Sequence, residues 1–165
     1  MKNKNLKIGL DLDDVIFDFM GSYLNRFGIP KEDYIITKNV YKLKKDKDFW
    51  LNLPVLRTID FIPALYCTKR ISNKTWTKDA LALNGFPERP IYQRHYQRSP
   101  KSPLIKGRVD VFIDDSISNF TEINKSGIPC LLMDAPHNQG FETPYRIYTL
   151  TLAEIKKKYS EFSKL

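Results

Sequence analysis

The sequence predicts an α/β protein, a doubly wound parallel sheet carrying a small helical insertion after its first strand and helix. Apolar strand-like runs alternate with amphipathic helical stripes along the 165 residues, the order that builds parallel sheets. Residues 6–10 and 109–113 are apolar runs with few charges, as expected of strands buried on both faces. Both end directly in carboxylates, Asp11-Leu12-Asp13-Asp14 after the first and Asp114-Asp115 after the second. In an open parallel sheet, ligands bind outside the carboxyl ends of the strands, so the two acidic ends are expected to share one crevice.

The elements follow in order. After the first strand, Val15, Phe19, Tyr23 and Phe27 repeat at every fourth position, with Ile16, Met20 and Leu24 beside them. This is an amphipathic helix, closed by Gly28 as a C′ residue. With its N-terminus at Asp13 and Asp14, the helix is expected to turn free N–H groups and the positive end of its dipole toward the acidic crevice, as a phosphate site. From 29 to 56 the pattern loosens through Pro30, a Lys-rich stretch around Tyr41-Lys42-Leu43-Lys44-Lys45, and Phe49-Trp50-Leu51-Asn52-Leu53-Pro54. We expect a small, mainly helical insertion there, with residues 1–28 and 57–165 forming the core. Phe49 and Trp50 either line a substrate pocket from above or pin the insertion to the core.

Residues 61–67 are the next strand, with Pro63 at its start rather than its centre. The strand delivers Thr68, Lys69 and Arg70 to its carboxyl end. A helix follows over about 73–84, with Trp76, Ala80 and Leu83 on one face and Gly85 at the stop. A short strand at Ile91-Tyr92 leads into a basic loop. Ile117, Phe120 and Ile123 mark a helix that Gly127 closes, 128–133 is a further strand, and Thr151-Leu152-Ala153-Glu154 is a capping box. It opens a last helix that carries Leu152, Ile155, Tyr159 and Phe162 inward.

A hydrophobic content of 42% with 13% aromatic residues excludes a disordered chain. A mean hydropathy of −0.42 and the lack of an apolar run near about 18 residues exclude a membrane span. The basic start Met1-Lys2-Asn3-Lys4-Asn5 runs into the acidic strand end, not into a signal-peptide core, so a cytoplasmic location is expected. Cys67 and Cys130 sit in apolar runs, where buried free thiols are the usual outcome. The net charge of +8 concentrates in residues 89–108, where Arg89, Arg94, Arg98, Lys101, Lys106 and Arg108 occur without an acidic residue and interleave with Tyr92, His95 and Tyr96. That stretch is either a surface for an anionic ligand such as a nucleic acid or a solvated basic loop.

Carboxylates crowded at strand ends need a cation. At about 5 Å and an effective dielectric near 20, each ionised pair repels by roughly 3 kcal/mol. Oxygen ligands without nearby His or Cys favour Mg²⁺, which usually binds through one or two carboxylates plus a phosphate. The competing account is that these Asp residues only cap turns and helices. An EF-hand is excluded, because Asp11-Leu12-Asp13-Asp14-Val15 lacks the Gly and Glu that such a loop requires.

Asp11-Leu12-Asp13-Asp14-Val15, Thr68, Lys101 and Asp114-Asp115, in that order, resemble the four-part pattern of the haloacid dehalogenase-like phosphohydrolases. With the strand leading into Thr68, the Ile113-Asp114-Asp115 ending, and His137-Asn138 after the last core strand followed by a closing helix, the chain also resembles the 5′(3′)-deoxyribonucleotidase branch. The resemblance implies a Mg²⁺-dependent phosphomonoesterase acting on nucleoside monophosphates. Asp11 would be the nucleophile and Asp13 the general acid and base. Thr68 and Lys101 would hold the phosphoryl group, with Lys106 the competitor for the lysine role. Asp11, the Asp13 carbonyl and the Asp114-Asp115 pair would hold the metal. Asp14, Phe19, Trp50, Lys69 and Arg70 are the substrate-binding candidates. Phe19 would stack on a base, although its place on the helical stripe also suits the core. Asp14 departs from the family, which often has Gly there. Action on nucleic-acid termini, or non-catalytic nucleotide or nucleic-acid binding on the same fold, are the alternatives.

Overall fold

Side chains alternate across a strand, and here both faces of each central strand are apolar. In the computed structural model, which describes residues 5–33, 38–94 and 99–162, the strands are β1 (Ile8–Leu10), β2 (Leu65–Thr68), β3 (Ile91–Gln93), β4 (Val111–Asp114), β5 (Cys130–Met133) and β6 (Arg146–Ile147). Ile8, Leu10, Tyr66, Val111, Ile113, Leu131 and Met133 face one apolar layer, while Leu65, Cys67, Phe112, Cys130 and Leu132 face the other. The first layer is completed by α1 (Phe19–Phe27), α3 (Lys74–Leu83) and α6 (Leu152–Phe162). The second is completed by α4 (Ser102–Ile105) and α5 (Ile117–Lys125). The packing is close at β1, where a Cβ on Gly9 would lie 2.7 Å from the Phe112 ring and 2.8 Å from Val109.

All strand pairs are parallel, in the order β3-β2-β1-β4-β5-β6. The α/β class and the parallel sheet are as the sequence predicts. Strand order reverses between β1 and β4, which opens a crevice at their carboxyl ends. The two acidic strand ends are therefore neighbours. Both cysteines are buried free thiols, as expected.

Several local expectations are corrected. α1 begins at Phe19, not at Asp13 and Asp14, because residues 14–17 close a turn with Asp14 N–H donating to the Phe17 carbonyl at 2.7 Å. Asp18 caps the helix by accepting from Gly21 N–H at 2.9 Å, and the Asp14 carboxylate accepts from Met20 N–H at 3.0 Å. These first-turn donors are spent on side chains of the chain itself, so the expected phosphate site at this helix start is not formed. In α3 the buried positions are Thr77, Ala80 and Leu81, whereas Leu83 is 71% exposed. Spacing of three and four from Thr77 fixes the inner face, and Leu83 falls outside it. The capping box at α6 is only half made. Thr151 Oγ1 accepts from Glu154 N–H at 3.4 Å, but the Glu154 carboxylate reaches Tyr148 and Thr149 N–H at 3.0 and 2.9 Å.

Between α1 and β2 the described chain is mainly helical, with 3₁₀ turns at Lys31–Asp33 and Lys38–Lys45 and then α2 (Lys47–Leu51). Val40, Leu43, Trp50 and Leu53 bury their side chains in the same apolar cluster as β1 and α1. No helix among the described residues is long and apolar enough to cross a membrane.

Candidate active site

The ladder between β1 and β4 extends one residue past β1, with Asp11 N–H donating to the Ile113 carbonyl at 2.9 Å. This fixes Asp11 at the mouth of the crevice. Its Oδ2 lies 2.9 Å from Lys101 Nζ, which also donates to Asp114 Oδ2 at 2.7 Å. Lys101 is 1% exposed. Burial alone would lower its ammonium, but Asp11 and Asp114 outweigh burial and hold it above the ordinary lysine value. Lys101 is delivered from the start of α4, whose first N–H groups bond a carboxylate from α5. The Lys101 and Ser102 N–H groups donate to Glu122 Oε2 at 3.1 and 3.3 Å, and the Ser102 hydroxyl bonds the same carboxylate. Lys106 is exposed at the far end of α4, so the lysine beside Asp11 is Lys101.

Thr68 ends β2 and is almost fully buried against the same crevice. Lys69 Nζ donates to Asn119 Oδ1 at 2.6 Å, and Asn119 Nδ2 donates to Asp114 Oδ1 at 3.1 Å. Burial, then Lys101, lowers the Lys69 ammonium from its usual value. The Arg70 guanidinium turns to Asp13, with Nε 2.9 Å from Oδ1 and 3.1 Å from Oδ2, and Nη2 2.6 Å from Oδ1.

Asp115 Oδ2 sits 2.7 Å from His137 Nε2. Asn138, fully buried, donates to the Asp115 and Met133 carbonyls at 2.7 and 2.8 Å, tying the end of β4 to that of β5. Asp14 holds φ at 60°, the left-handed region that Gly adopts freely and that Asp tolerates better than most residues. Arg57 donates to the Asp14, Val15 and Asp134 carbonyls at 2.9, 3.1 and 2.7 Å, clamping this turn to the loop after β5.

The electrostatics are those of crowded carboxylates. Burial, against the opposing pull of Lys101 and with Asp114 and Asp115 adding to it, pushes Asp11 well above the usual carboxylate range. Burial, then Asp114, does the same to Asp115. Burial and then Asp115 push Asp14 up to about 8. Burial lowers the His137 imidazole, partly offset by Asp14. One oxygen from each of Asp11, Asp114 and Asp115 lies within 4.8 Å of the others, and Asp14, Asp115 and His137 form a second such group.

A cleft of about 290 Å³ opens beside these residues. No protein-family model matches the chain, and no curated protein matches it. What the cleft does must come from its own residues. Asp11, Asp13, Asp14, Thr68, Lys101 and Asp115 line it, together with Phe19, Trp50, Lys69 and Arg70. Asp114 is fully buried behind them and does not line the cleft. Trp50 is pinned, its Nε1 donating to the Leu43 carbonyl at 2.8 Å. Phe19 stacks on Trp50 and on Tyr23, at centroid distances of 5.7 and 5.8 Å, as a core ring would.

Sequence reasoning overlooked Asn119, Glu122 and Arg57. Asn119 had a signal, since the first turn of a helix directly after Asp114-Asp115 must face the acidic end. Glu122 and Arg57 had none, because their partners lie 20 to 77 positions away. Of the basic stretch, Lys101 is consumed in the site, and Arg89, Arg94, Lys106 and Arg108 are exposed. Arg108 stands over the Tyr92 ring at 5.2 Å. His95, Tyr96 and Arg98 lie outside the described residues.

Proposed function

We propose that the chain is a Mg²⁺-dependent phosphomonoesterase acting on nucleoside monophosphates through an aspartyl-phosphate, on a haloacid dehalogenase-like fold with residues 29–56 as a small cap. The observation that carries this reading is Lys101 Nζ, held between Asp11 and Asp114 at the carboxyl ends of β1 and β4. A buried ammonium beside a cleft-facing carboxylate places a nucleophile next to a fixed positive charge, as attack on a phosphate dianion requires.

Asp11 attacks phosphorus in line, forming the Asp11 acyl phosphate as the bond to the leaving oxygen breaks. Asp13 gives that oxygen a proton. Asp13 then takes a proton from water, whose oxygen attacks phosphorus, releasing inorganic phosphate and restoring Asp11. Thr68 donates its hydroxyl to a phosphoryl oxygen, and Lys101 neutralises charge there. The donor set fits a hard divalent cation, since it is all oxygen and brings three buried carboxylates within 4.8 Å of one another. Asp11 and Asp115, which face the cleft, would hold it with the Asp13 carbonyl, and Asp114 would act from behind by fixing Lys101. The bound cation would supply charge neutralisation at the phosphoryl oxygens.

Phosphate release from deoxy- and ribonucleoside monophosphates, with Mg²⁺ or with chelator, tests the proposal. Turnover that needs Mg²⁺ and disappears in Asp11→Asn supports it, and full activity in that variant sinks it. One observation favours a second reading, action on nucleic-acid termini. Arg94 N–H donates to the Thr68 carbonyl at 3.1 Å, so the basic stretch departs from beside the cleft. End-phosphorylated oligonucleotides in the same panel, hydrolysed in preference to mononucleotides and with steep salt dependence, would select it.

A further inference from the structure

Arg70 lines the cleft, but its guanidinium is turned to Asp13 rather than into the open space. Its side chain is 0% exposed, although Asp13, its partner, is 20% exposed toward the cleft. The guanidinium lies against the Phe17 ring at 5.1 Å and the Trp50 ring at 5.3 Å, so the turn after β1 and helix α2 together form a slot for it. Its own backbone is also fixed. Arg70 N–H donates to Thr68 Oγ1 at 3.3 Å, and Gln93 Nε2 donates to the Arg70 carbonyl at 3.2 Å. A planar fork gripping both oxygens of a carboxylate sets the plane of that carboxylate as well as its place, which a lysine point charge does not.

We propose that Arg70 is a positioning residue for Asp13. It fixes the carboxylate plane from which Asp13 exchanges protons with the leaving oxygen and the attacking water, and the Phe17–Trp50 slot fixes Arg70. This inference rests on the phosphomonoesterase reading. It assigns to Arg70 a role in the proton transfers of both halves of the reaction rather than in holding the substrate.

4-Nitrophenyl phosphate separates the two halves. Its leaving group departs without a proton, so transfer to Asp11 proceeds without Asp13, whereas hydrolysis of the aspartyl-phosphate needs Asp13 to deprotonate water. In Arg70→Gln we expect kcat to fall about 10- to 100-fold, as misalignment of a reacting group does. KM falls with it, kcat/KM stays near the wild-type value, and a burst of nitrophenolate matches an accumulating phosphoenzyme. Arg70→Lys, which keeps the buried charge, recovers part of the loss and makes the same comparison if Arg70→Gln does not fold. A raised KM with kcat unchanged would make Arg70 a substrate contact and overturn the proposal. A lower kcat at constant KM without a burst would reduce Arg70 to a structural role and overturn it too. A wild-type protein that releases neither nitrophenolate nor phosphate from nucleoside monophosphates would instead refute the phosphomonoesterase reading.

Discussion

The two acidic strand ends look alike in sequence and differ in how they are held. At the end of β4 the carboxylates are engaged from several sides, Asp114 by Lys101, Ser116 N–H and Asn119, and Asp115 by His137, with Asn138 on its backbone. At the end of β1 the carboxylates open on the cleft, and Asp11 and Asp13 each have one cationic side-chain partner among the bonds described above. On the proposed reading the β1 end supplies the reacting groups, while the β4 end is mainly scaffold, with Asp114 buried and Asp115 alone of its two carboxylates facing the cleft. A buried network whose polar atoms find partners holds its geometry without substrate, and a nucleophile needs a free approach.

Substitutions at the two ends should therefore fail in different ways. The largest effect is expected from Asp11→Asn, which should lower turnover by at least about three orders of magnitude while the melting temperature holds or rises. At the scaffold end, Lys101→Met leaves Asp114 buried without its cation and should cost about 3–5 kcal/mol of stability, read by denaturant unfolding, along with activity. Lys106→Met, on the exposed side of α4, should change neither. If Lys101→Met were as stable as wild type, the contrast between scaffold and reagent would be wrong.

A smaller effect is expected with pH. Asp11, Asp14 and Asp115 bind protons more tightly folded than unfolded, so cation-free stability is full below the unfolded carboxylate range and is lost as pH rises through the folded values, about 8 for Asp14. The melting temperature of cation-free protein should fall from about pH 5 to about pH 8, and added Mg²⁺ should raise it more at the higher pH. Calorimetry in both buffers checks this. Smallest of all, Asp14→Asn keeps a residue that tolerates positive φ and removes one titrating group, so it should flatten that pH slope with little change in turnover.

Much of the fold was legible because buried parallel strands announce themselves as short apolar runs, and Gly28, Gly85 and Gly127 mark helix ends at positive φ. Strand β6 was not legible. Arg146–Ile147 is two residues long, and only its pairing with Leu132 and Met133 makes it a strand. The start of α1 was missed because the apolar stripe runs unbroken through Val15 and Ile16, while the turn at Asp14 is set by a backbone angle that periodicity cannot register. In the candidate site, Asp11, Asp13, Thr68 and Asp115 were visible as polar residues at or near strand ends and Lys101 as a lysine between prolines in the loop before the second acidic strand, and the structure gathers them at one cleft. The division between Asp114 and Asp115 was not visible, because it depends on Asn119 and His137 arriving from other elements. Arg70 was visible as a cation, yet its burial depends on Trp50, twenty positions earlier.

The most direct test of the central claim is to locate the phosphoryl group during turnover. Protein quenched while hydrolysing a phosphomonoester in the presence of Mg²⁺, digested and analysed by mass spectrometry, should carry one phosphoryl group on the peptide containing Asp11, and Asp11→Asn should carry none. Turnover with no phosphorylated peptide under conditions that trap the intermediate, or a phosphoryl group on another residue, would contradict Asp11 as the nucleophile.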